Sequence, residues 1–129
     1  VLTGGASGVG KQMTKTLLAL GHRVFTTDVR YDELLKVGKE LGWDSMENCT
    51  MLELDVRDRD QWRNVFETAR KSLGGVDVVF NIAGYLKPES TQNLKDTDID
   101  LHIDVNVKGV INGTWLASQE MIKQVKDGS

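Results

Sequence analysis

The sequence is poor in the residues that staple or break a chain. One cysteine, Cys49, and one proline, Pro88, occur in 129 residues. A lone cysteine closes no internal disulfide, so a reducing compartment is the simpler reading and a cytoplasmic location is expected. A single proline excludes a proline-rich linker. Aromatic residues make up only 6% of the chain, and no run approaches the roughly 20 apolar residues of a membrane-spanning helix. Neither charge dominates: 16 Lys and Arg stand against 19 Asp and Glu, a net charge of −3. A nucleic-acid-binding surface normally carries a basic excess, so neither nucleic acid nor membrane is an expected partner. Internal repeats and low-complexity tracts are also missing. At this length one domain is the limit. The chain opens on Val1, two residues ahead of a glycine-rich turn, and stops on Gly128-Ser129 just after a helical pattern. Both ends read as cut, so residues 1–129 are expected to be one domain, incomplete at both ends, of a longer protein.

What the sequence has is alternation. Residues 1–3 are the tail of an apolar strand, residues 4–10 a glycine-rich turn, and residues 11–20 a helix with Met13, Leu17, Leu18 and Leu20 on its apolar face. Gly21 sits where a helix ends. Residues 23–28 are rich in β-branched and aromatic side chains and read as a strand. Asp32 is the expected cap of a helix that Gly42 stops. Residues 50–54 form a short strand. Asp58 then caps a helix whose stripe, Trp62, Val65, Phe66, Ala69 and Leu73, keeps a helical period. Residues 76–80 are almost unbroken apolar sequence, as in a parallel strand buried on both faces. From about residue 96 to residue 126 the pattern is helical. An apolar stripe runs through positions 107, 110, 111, 114, 118, 121, 122 and 125, and half of it is expected to cover the sheet. Strict strand–helix alternation means a parallel sheet, so the fold class is a doubly wound, Rossmann-like α/β fold with four strands and about four helices. Ligands in that architecture bind past the carboxyl ends of the strands, here at Thr3, Asp28, Asp55 and Asn81.

Two features at those ends carry chemistry. In Thr3-Gly4-Gly5-Ala6-Ser7-Gly8-Val9-Gly10, Gly4 allows a tight turn, Gly8 allows the backbone to approach a pyrophosphate, and Gly10 allows the helix to pack closely. The helix N-terminus offers free N–H groups and a favourable dipole to phosphates. Asp28 follows the second strand, 18 residues after Gly10, where a carboxylate accepts hydrogen bonds from the adenosine ribose diol and repels a 2′-phosphate. The expected cofactor is therefore NAD, with NADP second. Arg30, two residues on, works against that preference.

The turn spacing Gly-x-x-x-Gly-x-Gly after a threonine resembles the short-chain dehydrogenase/reductase family, in its single-domain form. Asp55-Val56 resembles that family's contact to the adenine ring. Asn81-Ile82-Ala83-Gly84 resembles its Asn-x-Ala-Gly motif, which steadies the central sheet and lines the cofactor. Asn106, in Asp104-Val105-Asn106-Val107-Lys108-Gly109, resembles the helix asparagine of its catalytic tetrad. The resemblance implies a cofactor site of Gly4, Ser7, Gly8, Val9, Gly10, Asp28, Asp55, Val56, Asn81, Ala83 and Gly84, with Asn106 as the one catalytic residue in this stretch. NADP-preferring relatives often carry a basic residue where Ser7 stands, which again favours NAD. The tetrad's Ser, Tyr and Lys are expected beyond residue 129, because neither Tyr31 nor Tyr85 begins a Tyr-x-x-x-Lys pair. The resemblance further implies hydride transfer between NAD(H) and a small alcohol or carbonyl substrate. It also implies a homodimer or homotetramer in which the last helix meets its counterpart. Two alternatives stand beside that reading: a non-catalytic NAD-binding sensor or scaffold, and a truncated inactive fragment.

The remaining candidates read as structural. Asp98 and His102 share a helical face, but no second His or Cys joins them, so no metal is expected. Cys49 has no basic neighbour to make it reactive. Lys71, Lys87 and Lys95 read as solvated, and the loop at residues 85–88 is where substrate specificity would begin.

Overall fold

A computed structural model of the chain describes residues 1–128. Its elements follow the expected alternation: β1 (Leu2–Thr3), α1 (Gly8–Ala19), β2 (Val24–Asp28), α2 (Tyr31–Leu41), β3 (Cys49–Glu53), α3 (Arg59–Leu73), α4 (Asp96–Ile103) and α5 (Val110–Lys126). The strands pair in parallel in the order β1-β2-β3, with Leu2 opposite Thr26 and Val24 opposite Cys49. Every residue of central β2 is buried, as a strand covered on both faces requires.

The fourth expected strand joins the sheet by less than a full ladder. Residues 76–80 run beside the outer edge of β1, where Phe80 N–H donates to the Val1 carbonyl at 2.9 Å and Thr3 N–H to the Phe80 carbonyl at 3.0 Å. They form one parallel bridge, between Leu2 and Phe80. The reason is length, since β1 offers only two residues for pairing.

Helices cover both faces. On one, Leu18 of α1 and Leu34 and Val37 of α2 pack with Val24 and Trp43. On the other, Trp62, Val65, Phe66 and Ala69 of α3 pack with Phe25, Leu54, Val56, Val76, Leu116 and Ala117. Helix α3 is capped as expected, Asp58 accepting from the N–H groups of Asp60 and Gln61. Helix α2 differs: it starts one residue before Asp32, and its N-cap, Arg30, makes no side-chain capping bond.

The long C-terminal helix departs from expectation twice. A π-helical turn, Asp104–Gly109, joins α4 to α5. In addition, the face of α5 laid on the sheet is not the apolar stripe. Its buried residues are Asn112, Gly113, Leu116 and Ala117, whereas Val107, Ile111, Trp115, Ile122 and Val125 are 44–76% exposed. Close packing explains the rotation: a β-carbon at Gly113 would lie 2.7 Å from the Trp62 ring. Only a face of small residues comes that near α3.

Candidate functional site

The carboxyl ends of the strands open into a cleft of about 720 Å³. Its walls include Gly4, Ser7, Gly8, Val9, Gly10, Asp28, Asp55, Val56, Ala83 and Gly84, so the sheet gathers residues far apart in sequence. Asn81 and Asn106 are not among the lining residues.

The turn between β1 and α1 is compressed against its surroundings. Gly4 has φ +77°, and a β-carbon there would come 3.0 Å from the Ala83 Cα. A β-carbon at Gly10 would lie 2.6 Å from the Gly4 carbonyl carbon, so Gly10 packs α1 onto the turn itself. The space beside Gly8 is open, which leaves its backbone accessible from the cleft. Ser7 stands at the N-cap of α1 but makes no side-chain cap, and the first turn holds no acidic residue. The leading N–H groups and the positive end of the helix dipole therefore remain available to an anion.

Thr3 ties this turn to the fourth segment. Its hydroxyl oxygen accepts from the N–H groups of Ile82 and Ala83, both at 3.0 Å, which fixes the Ala83-Gly84 wall. The sequence marks Thr3 as a strand end beside the site, whereas its hydroxyl bonds to Ile82 and Ala83, some 80 residues on, come only from the fold.

Asp28 is 6% exposed. One carboxylate oxygen accepts from Ala6 N–H at 3.0 Å and the other from Arg30 N–H at 2.9 Å. Each oxygen keeps a second lone pair, so the carboxylate retains capacity for a diol. The Arg30 guanidinium lies 3.8 Å from Asp28 and donates to the Ser7 hydroxyl at 2.9 Å, spanning the cleft mouth. That link is absent from the sequence pattern, because it joins two loops 23 residues apart.

Asp55 is held by Arg57, which donates from Nε at 2.9 Å and from Nη2 at 2.6 Å. These hydrogen bonds keep the Asp55 carboxyl below the usual carboxylate range. The folded pKa therefore lies under the unfolded one. The stabilisation is complete above the unfolded value and is lost as the pH falls through the folded value. Thermal unfolding should thus show Asp55→Asn less stable than wild type at neutral pH. The exposed pair makes that difference modest, below about 1 kcal/mol, and the gap closes as the pH drops below about 4. Val56 lines the cleft and is anchored by its backbone: its carbonyl accepts from Trp62 Nε1 at 2.9 Å and Asn112 Nδ2 at 3.0 Å.

The Asn81 side chain lies outside the cleft lining. Its amide turns away from the cleft, Nδ2 reaching the Thr114 hydroxyl of α5 at 3.3 Å. It serves the sheet–helix packing, while Ala83 and Gly84 face the cleft. Asn106, in the π-helical turn, commits its whole carboxamide to the backbone of one residue: Oδ1 accepts from Tyr85 N–H at 2.8 Å and Nδ2 donates to the Tyr85 carbonyl at 2.7 Å. Such turns are frequent at functional sites.

Lys87 is exposed, as a solvated side chain would be, but it is not free. It pairs with Asp98 at 3.0 Å, and this bond holds Asp98 below the ordinary carboxylate range. His102 Nδ1 faces the Asp98 backbone carbonyl at 2.6 Å, so Nδ1 carries the proton and Nε2 accepts from Lys87 N–H at 3.3 Å. Among the described residues no group of three His, Cys, Asp or Glu side chains is placed to hold a metal ion. Cys49 is half-buried, and burial pushes its thiol up to about 11. No helix among these residues is long and apolar enough to cross a membrane.

Comparison with known proteins places this geometry. Residues 1–129 match the family profile described as short chain dehydrogenase. The oxidoreductase UcpA of Salmonella typhimurium is 33% identical over 128 residues, which are 99% of this chain and 48% of that protein. The 3-oxoacyl-[acyl-carrier-protein] reductase FabG of Thermotoga maritima is 35% identical over 130 residues, 100% of this chain and 52% of that protein. The solved structure of a putative short-chain dehydrogenase from Novosphingobium aromaticivorans superposes with a TM-score of 0.87 at 30% identity, covering 98% of this chain and 47% of that one. The chain thus spans about half the length of the relatives it matches. With the profile matched from end to end and the parallel sheet in place, the chain belongs to the short-chain dehydrogenase family.

Proposed function

We propose that this chain is the dinucleotide-binding part of an NAD-dependent oxidoreductase that moves a hydride between NAD(H) and a small alcohol or carbonyl substrate. The observation that carries the reading is the pairing of an uncapped α1 N-terminus with the Asp28 carboxylate in one cleft. The pyrophosphate would lie on the free N–H groups at residues 7–10, and the adenosine diol would bond Asp28. The adenine would rest between Val56 and the Ala83-Gly84 wall. Asp55 contributes an ionised edge whose orientation Arg57 fixes. When bound, the nicotinamide ring accepts or donates the hydride. Asn106 acts on this chemistry by holding the loop after Gly84.

The choice of NAD over NADP rests on Asp28, whose charge opposes a 2′-phosphate. Arg30 is the counterweight, since its guanidinium reaches Ser7 at the same mouth. The test is a calorimetric titration of the full-length protein with NADH and NADPH. NADH should bind more tightly. Asp28→Ala should weaken NADH by about 10- to 100-fold, the worth of hydrogen bonds to a charged group. The same substitution should narrow the gap to NADPH, because Arg30 remains. Unchanged NADH affinity in Asp28→Ala would overturn the assignment.

The exposed apolar strip of Ile111, Trp115 and Ile122 on α5, with Val107 in the turn before it, supports association of two or more copies. The single half-buried thiol fits a reducing, cytoplasmic setting.

A further inference from the structure

We propose that Asp98 is a positioning residue, which holds residues 85–87 through their side chains while Asn106 holds the same stretch through its backbone. The inference rests on the proposed function for its bearing on catalysis. The stretch has no regular secondary structure, yet each of its ends is tied. Asp98 lies in the first turn of α4 and is 5% exposed. A buried carboxylate requires partners, and both of its distal partners come from this stretch. Lys87 Nζ donates to the two carboxylate oxygens at 3.0 and 3.2 Å, and the Tyr85 hydroxyl donates at 3.3 Å. The Tyr85 ring meets the His102 ring edge-on at 4.9 Å. The Tyr85 backbone is then gripped at both its N–H and its carbonyl by Asn106.

Leu86 sits between these anchors. It is 80% exposed and lines the cleft, so nothing but its neighbours fixes where it stands. Tyr85 is therefore the shared joint: its side chain belongs to Asp98 and its backbone to Asn106. Losing Asp98 leaves Asn106 as the only hydrogen-bonding anchor on Tyr85 among the described residues. The Lys87 side chain is 43% exposed, so it rehydrates once unpaired and the consequence stays local.

The test uses the full-length protein, with hydrogen exchange at the Tyr85 amide, NADH affinity and steady-state kinetics measured together. In Asp98→Ala, exchange at Tyr85 should quicken about tenfold while β2 amides keep their wild-type rates. The turnover number should fall about tenfold with NADH affinity unchanged. Asp98→Asn keeps an acceptor for Tyr85 and Lys87 and should recover part of both losses. Wild-type exchange at Tyr85, or faster exchange with wild-type turnover, would overturn the proposal. If β2 amides also quicken in Asp98→Ala, Tyr85→Phe, which removes one hydroxyl, takes its place with the same expected and overturning results. A wild-type protein that binds no NADH would sink the proposed function instead, and the exchange arm would still decide whether Asp98 holds Tyr85.

Discussion

Gly10→Ala is expected to abolish useful dinucleotide binding and to destabilise the fold together. The added methyl would stand 2.6 Å from the Gly4 carbonyl carbon. That neighbour is backbone, and it cannot rotate away as a side chain would. Either α1 slides outward or the β1–α1 turn shifts, and overpacking of this kind costs about 1–3 kcal/mol. The turn is also the proposed pyrophosphate cradle, so a shift of its N–H groups removes two or more charge-assisted hydrogen bonds. Their combined loss weakens NADH by roughly 100-fold or more. Urea unfolding and an NADH titration of the same variant read the two effects separately. A variant with wild-type affinity would show that the turn does not carry the phosphates.

Trp62→Ala is expected to be the most damaging single change to stability. The indole is fully buried, stacks on Phe66 at 5.5 Å between ring centres, and lies under Gly113 of α5. Truncating such a side chain costs about 3–5 kcal/mol. The loss reaches the cleft as well, because Trp62 Nε1 donates to the Val56 carbonyl. Trp62→Phe should retain much of the packing, and Asn112 still bonds that carbonyl, so its cost should be clearly smaller. Chemical denaturation of both variants gives the comparison. A Trp62→Ala loss no larger than that of Trp62→Phe would contradict this placement of the core.

The amphipathic part of the fold was legible because each such helix presents one apolar stripe to one core. Trp62, Val65, Phe66 and Ala69 keep a helical period and are all buried. The same logic misread α5. Its sheet-facing side is Asn112, Gly113 and Ala117 around Leu116, small or polar residues that hydrophobicity does not register. Its conspicuous apolar stripe points outward. The Asn81 side chain was hidden for a related reason: a sequence motif names residues together, while only the fold shows Asn81 reaching Thr114 of α5 and Ala83 lining the cleft. Asp28 was legible as an acid at a strand end. The reach of Arg30 to Ser7 and the clasp of Lys87 by Asp98 were not, because irregular chain imposes no period from which such partners can be read. The π-helical turn was equally hidden, since its local composition is that of the α-helix on either side.

The central claim is that the cleft at the strand ends holds NADH. Amide hydrogen exchange of the full-length protein with and without NADH tests it most directly. Slowed exchange is expected at the N–H groups of residues 7–10 and at Ala83 and Gly84, with β2 unchanged. Saturable NADH binding that leaves those amides at their free rates, or protects a different face, would contradict it.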